Sequence, residues 1–236
     1  MKITIGITDC SKWGNYEKWI SQGDASIEII KLSWKENNIS DIEICDGIVL
    51  SGGEDVHPRF YNKPEYYSML NPKDIIEQRD KFELQVIETA MQKNLPVLGI
   101  CRGLQIANVY FKGTLIPDIP TMGRRGHSMI QGIDEAHLVR VEEDSLFKKI
   151  ANTSEGIVNS AHHQAADSVS DELKVNVVSD NGIIEGLEWK DPEGKPFLLL
   201  VQWHPERMRD AATSPFSKNL RTAFLEGVTD FSLHKK

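Results

Sequence analysis

The sequence predicts an open α/β fold: one domain over residues 1–236, with a mixed, mostly parallel sheet flanked by helices. Three observations carry this. In the first half, short apolar runs alternate with helical stretches, as in βαβ units. In the second half, alternating strands flank Asp180-Asn181-Gly182, a strong hairpin turn that adds antiparallel pairs. No linker, repeat or low-complexity segment divides the halves, and 236 residues suffice to bury a full core.

Each element has its own signal. Ile3, Ile5 and Ile7 alternate through the first strand, 2–8. Residues 9–14 read as a loop, 16–21 as a short helix and 26–32 as the second strand, with Ile27, Ile29, Ile30 and Leu32. Residues 39–44 form a short amphipathic connection. Gly47-Ile48-Val49-Leu50 is an apolar strand that stops abruptly at Ser51-Gly52-Gly53. Residues 54–72 hold Pro58, Pro64 and Pro72 interleaved with Tyr61, Tyr66 and Tyr67. A loop this long is either functional or a surface excursion held down by its tyrosines. Phe82, Val86 and Ala90, with Ile87 and Met91, put one apolar face on a helix over 74–93.

Pro96 then opens a buried strand (Val97, Leu98, Ile100), and helical character begins at Leu104 and runs toward Gly113. A loop follows over 114–126, a strand over 137–141, a helical turn over 145–150 and a strand over 156–160. The hairpin strands are 173–178 and 183–189. A last buried strand, 197–202, ends in Trp203-His204-Pro205-Glu206, and a helix over 214–225 closes the chain.

Composition excludes several classes. Net charge is −8 and no basic run exceeds a pair, which argues against nucleic acid or an anionic membrane as primary partner. No apolar run reaches the roughly 18 residues of a membrane helix. The three cysteines, Cys10, Cys45 and Cys101, form no zinc-spaced cluster and suit a reducing compartment, the cytoplasm.

Four apolar strands end in glycine-rich or polar motifs, and ligand sites of open α/β sheets lie beyond the carboxyl ends of strands. Gly99 and Gly103 bracket Cys101 at a strand-to-helix turn, where helix N–H groups favour a thiolate. The plain alternative is a small buried cysteine. In His204-Pro205-Glu206, residues i and i+2 face one side, so Glu206 can fix the tautomer of His204 while the other ring nitrogen faces a thiol. Alone, this would be a simple turn. Main-chain N–H groups at Gly53 and Arg102 are natural oxyanion donors. Adjacent His162 and His163 face opposite ways on a strand and lack a carboxylate cluster, so no metal is expected. His57, His127, His137 and His234 read as satisfied or surface side chains, and Cys10 and Cys45 as structural.

Gly99-Ile100-Cys101-Arg102-Gly103-Leu104-Gln105 resembles the G-x-C-x-G-x-Q turn of class I glutamine amidotransferases, and Gln202-Trp203-His204-Pro205-Glu206 resembles their C-terminal H-P-E signature. Within that superfamily the chain is most similar to the γ-glutamyl-γ-aminobutyrate hydrolase group of the peptidase C26 type. The features are the run from Asp46 through Ser51-Gly52-Gly53 to Pro58, Arg79-Asp80, Cys101-Arg102-Gly103, and Val158-Asn159-Ser160-Ala161-His162-His163-Gln164. The resemblance implies a flavodoxin-like domain and a hydrolase that needs no cofactor. Cys101 is the implied nucleophile, His204 the base and Glu206 its orienter; Gly53 and Arg102 hold the oxyanion, and Gln105, Asn159, Ser160 and His162 contact the glutamyl group. One departure is Lys112 before Gly113-Thr114-Leu115, where similar hydrolases carry a second glycine.

The reading that follows is a hydrolase of small γ-glutamyl amides, such as γ-glutamyl-γ-aminobutyrate, in polyamine or amine catabolism. A glutaminase subunit that feeds ammonia to a separate synthase is the alternative, and a non-catalytic binding member is a third. The sequence leaves open which amine is released and whether the chain forms a homodimer.

Overall fold

The structure is a computed structural model that describes residues 2–123 and 127–235. Its elements are β1 (Ile3–Thr8), α1 (Trp13–Ser21), β2 (Ile27–Leu32), β3 (Gly47–Leu50), α2 (Glu77–Gln92), β4 (Val97–Ile100), α3 (Arg102–Tyr110), β5 (Leu115–Ile116), β6 (Glu135–Val141), α4 (Leu146–Ala151), β7 (Glu155–Ser160), β8 (Ala165–Ala166), β9 (Leu173–Ser179), β10 (Ile184–Trp189), β11 (Leu198–Val201) and α5 (Leu220–His234).

Nine strands form one sheet in the order β2-β1-β3-β4-β11-β10-β9-β6-β7. The first five pair in parallel and the remaining joins are antiparallel. Followed across those joins, only β10 and β6 run against the rest, so most strands point one way. That brings the carboxyl ends of β1, β3, β4, β7 and β11 to one edge. Asp9, Ser51, Cys101, Ala161 and Gln202 each follow one of these strands.

Both faces of the parallel block are buried, and the alternation of its strands assigns each side chain to a face. Ile48, Leu50, Val97, Leu198 and Leu200 pack with α2 and α3. Val49, Leu98, Leu199 and Val201 pack with α1, α4 and α5. Removing one of these leucines to alanine would cost about 2–5 kcal/mol.

The α3 helix lies so close to the sheet that a Cβ on Gly103 would stand 2.2 Å from the Leu50 carbonyl oxygen. Backbone against backbone is what the glycine permits. Helix α3 begins at Arg102, two residues before the point that side-chain periodicity marks, because Cys101 itself makes the turn. Residues 54–72 are not structureless: three 3-10 turns start at Pro58, Pro64 and Pro72, each using the fixed φ of proline at the first position. The expected loop 114–126 contains β5, which pairs with β8, and its last three residues lie outside the described ones. The closing helix runs to His234, entered through a π-helical turn, Pro215–Asn219. None of the described helices is long and apolar enough to cross a membrane.

Candidate active site

Cys101 caps β4 with φ 53° and ψ −108°, a conformation that side chains rarely adopt. Strained backbone of this kind persists only where its surroundings over-determine it. Here the Cys101 N–H donates to the Val201 carbonyl at 2.7 Å, and its own carbonyl accepts from Leu104 N–H at 3.0 Å. The turn lifts the side chain beyond the sheet edge at the start of α3. Cys101 is 6% exposed, so the sulfur is reachable only through the cleft above it.

His204 follows β11, the strand next to β4. Its Nδ1 lies 2.9 Å from Glu206 Oε1, so Nδ1–H donates and Nε2 is left for the thiol. Burial disfavours charge on this imidazole, but the Glu206 carboxylate and then the neighbouring Cys101 outweigh it. The result is a pKa raised from the ordinary 6.5 to about 10. The turn that carries the pair is fixed from behind: Ser217 Oγ donates to the Pro205 carbonyl at 2.7 Å, and Trp203 Nε1 to the Phe216 carbonyl at 3.0 Å.

Gly52 is the floor of the site. A Cβ there would meet Tyr16 Oη at 2.7 Å, His204 Cε1 at 2.9 Å and Cys101 Cβ at 3.4 Å. The Gly52 N–H is taken by Tyr16 Oη at 3.0 Å. By contrast, the N–H groups of Gly53 and Arg102 find no acceptor among the described residues. Two main-chain donors therefore remain free, one in the Gly52-Gly53 loop and one directly after Cys101.

The Gly52-Gly53 loop and the start of α3 are tied together by buried charges. Arg79 Nη2 donates to the Gly52 carbonyl at 2.9 Å and to Ser51 Oγ at 3.1 Å, and Nε to Glu83 Oε1 at 2.7 Å. Arg79 also pairs with Glu54. Arg102 pairs with Glu83 and Asp80, and Asp80 Oδ2 accepts the His57 N–H at 3.1 Å. Removing one member of such a network strands a buried charge, at about 3–5 kcal/mol.

A cleft of about 150 Å³ opens over Cys101. Its walls include Lys12, Tyr16, Met129, Ala161 and Arg207, with Gly52, Gly53, His204 and Glu206. The peptidase C26 family model matches residues 14–206, a span that contains Cys101, His204 and Glu206. The chain belongs to the peptidase C26 family. It is 31% identical over 224 residues to a glutamine amidotransferase-like protein of Rickettsia prowazekii, covering 77% of this chain and 78% of that one. It is also 31% identical over 170 residues to the gamma-glutamyl-gamma-aminobutyrate hydrolase PuuD of Escherichia coli K12, covering 68% of this chain and 64% of the enzyme. In fold it matches the glutaminase domain of Trypanosoma brucei CTPS with bound acivicin (TM-score 0.68, 14% identity), covering 97% of this chain and 94% of that one. A glutamine amidotransferase of Methylobacillus flagellatus gives a TM-score of 0.66 at 13% identity, with 96% and 95% covered. Family and relatives are thus amidotransferase- and hydrolase-like.

In this C26 chain the residues expected to touch the glutamyl group are turned toward the protein. Gln105 Nε2 donates to the Gln164 carbonyl at 3.0 Å and to Gln202 Oε1 at 3.2 Å. Asn159 Oδ1 accepts the His204 N–H at 3.1 Å, while its amide nitrogen donates to Asp134 at 2.9 Å. Ser160 Oγ donates to the His127 carbonyl at 2.7 Å. His162 Nδ1 donates to the Gln164 carbonyl at 2.9 Å. Only Ala161 of that segment lines the cleft. Lys112 stands past the far end of α3 from Cys101, at φ 74°, and lines a separate cavity with Tyr110 and Trp189. Its departure from the glycine pattern is a matter of backbone conformation and not of the cleft.

Sequence reasoning missed Lys12, Tyr16 and Arg207. Arg207 had a signal, since it directly follows His204-Pro205-Glu206. Cys10, read as structural, also lines the cleft. His127, His137 and His162 converge on Glu185, a buried carboxylate that no local motif announces.

Proposed function

We propose that the chain is a cysteine-dependent hydrolase of small γ-glutamyl amides. The observation that carries this reading is one constellation: Cys101 on a strained turn, the His204–Glu206 hydrogen bond of 2.9 Å beside it, and unpaired N–H groups at Gly53 and Arg102.

Cys101 Sγ attacks the γ-carbonyl carbon of the bound amide, and the N–H groups of Gly53 and Arg102 hold the developing oxyanion. His204 Nε2, carrying the thiol proton, gives it to the leaving nitrogen, so a neutral amine departs and a γ-glutamyl thioester remains. Water then enters; His204 takes a proton from it as its oxygen attacks the same carbon. The C–S bond breaks, the thiol regains a proton and glutamate leaves. Glu206 steadies the imidazolium in both halves. Lys12, in the cleft wall, supplies positive charge for the α-carboxylate, beside Arg207, which is already paired with Asp134.

Purified protein incubated alone with γ-glutamyl-γ-aminobutyrate, γ-glutamyl anilide and glutamine separates the readings. Glutamate released from the amides without any other protein supports the hydrolase. Cleavage of glutamine only, and only with a synthase added, would replace it with the ammonia-supplying subunit.

A further inference from the structure

Behind the cleft, three histidines surround Glu185, which is 0% exposed. His127 Nδ1 lies 3.1 Å from Glu185 Oε1, His137 Nε2 3.2 Å and His162 Nε2 3.5 Å from the same oxygen. These are close approaches without hydrogen-bond alignment: all three nitrogens and both carboxylate oxygens lack a partner of acceptable geometry. The far side of two rings explains why. His162 Nδ1 faces the Gln164 carbonyl at 2.9 Å, which can only accept, so its proton sits on Nδ1 and Nε2 presents a lone pair. His127 Nε2 faces Asn181 Oδ1 at 3.0 Å, an oxygen that also accepts from Ser179 Oγ at 2.7 Å. That leaves Nδ1 of His127 as a lone pair too. Lone pairs on nitrogen then point at a buried carboxylate, an arrangement that calls for a cation between them.

The spacing suits a metal. A tetrahedral ion with ligands at about 2.0–2.1 Å places neighbouring donor atoms about 3.3 Å apart. The three N···O separations fall around that value, and the donor atoms of His127, His137 and Glu185 all lie within 4.8 Å of one another. Outer partners that pin the second ring nitrogen, here Gln164 and Asn181, are what metal-binding histidines ordinarily have.

We propose that His127 Nδ1, His137 Nε2 and Glu185 Oε1 form a buried three-donor site for a divalent transition-metal ion of the zinc class, with water in the fourth position. Imidazole nitrogen with one carboxylate is a donor set that selects zinc or cobalt over magnesium or calcium. The site has a structural use. It clamps residues 127–130 to the end of β7, where the His162 N–H already donates to the His127 carbonyl at 3.0 Å. Met129 of that segment and Ala161 beside His162 both stand in the wall of the Cys101 cleft.

The test is calorimetric titration of zinc into full-length protein stripped with a chelator. The expected result is one equivalent bound with Kd below about 1 µM. His137→Gln and Glu185→Gln should each weaken binding at least about 100-fold. His163→Ala should bind as the parent does, because His163 faces Asp55 and Asp118 instead. Should the ligand variants fail to fold, cobalt added to the unaltered protein decides: four-coordinate visible absorption, displaced by one equivalent of zinc, supports the site. No saturable zinc binding at about 0.1 mM, no such cobalt spectrum, or affinity that survives both glutamine substitutions or falls with His163→Ala, overturns it.

Discussion

His204 Nδ1 and Glu206 Oε1 stand 2.9 Å apart across a single proline, in a pocket where the Glu206 side chain is 1% exposed. A buried carboxylate this close makes the imidazolium the favoured state of His204.

That preference has a pH signature. The folded-state pKa of His204 is raised from 6.5 to about 10, so its contribution to stability is complete below pH 6.5 and lost as pH climbs toward 10. The melting temperature should fall over that window, and the fall should be shallower in His204→Asn. Equal slopes in the two proteins would contradict a charged His204 in the fold.

Gly52→Ala should disable the site more than the fold. The new methyl would push Tyr16 Oη and His204 Cε1 away from their places and crowd Cys101 Cβ. Overpacking of this kind costs about 1–3 kcal/mol, while a misplacement of about 1 Å in the reacting groups costs about 100-fold in rate. Urea unfolding and kcat/KM, measured side by side, check both. Full activity would show that the floor is not tight.

Asn159 separates positioning from substrate contact. Its side chain accepts from the His204 main chain and donates to Asp134, so Asn159→Ala should lower kcat by about 10-fold and leave KM nearly unchanged. A rise in KM at constant kcat would mean that Asn159 holds the glutamyl group after all.

The convergence of Cys101, His204 and Glu206 was legible because each sits in a contiguous motif at the end of an apolar strand, and strand ends meet at one edge. The parallel block and the hairpin were legible for the same local reason. The orientations of Gln105, Asn159, Ser160 and His162 were not: which way a buried polar side chain turns is decided by partners far along the chain, Gln202, Asp134 and the His127 carbonyl among them. The Glu185 cluster was invisible because the order β10-β9-β6-β7 brings together residues that no spacing relates. Pairing of β5 with β8 depends on two short runs, Leu115–Ile116 and Ala165–Ala166, too brief to carry a period.

The most direct measurement is intact and peptide-level mass spectrometry after acid quench of the enzyme turning over a γ-glutamyl anilide. The expected result is a glutamyl adduct on the peptide that contains Cys101, formed and lost at the turnover rate, with both adduct and glutamate release absent in Cys101→Ala. Undiminished glutamate release by a folded Cys101→Ala protein would contradict nucleophilic attack by that residue.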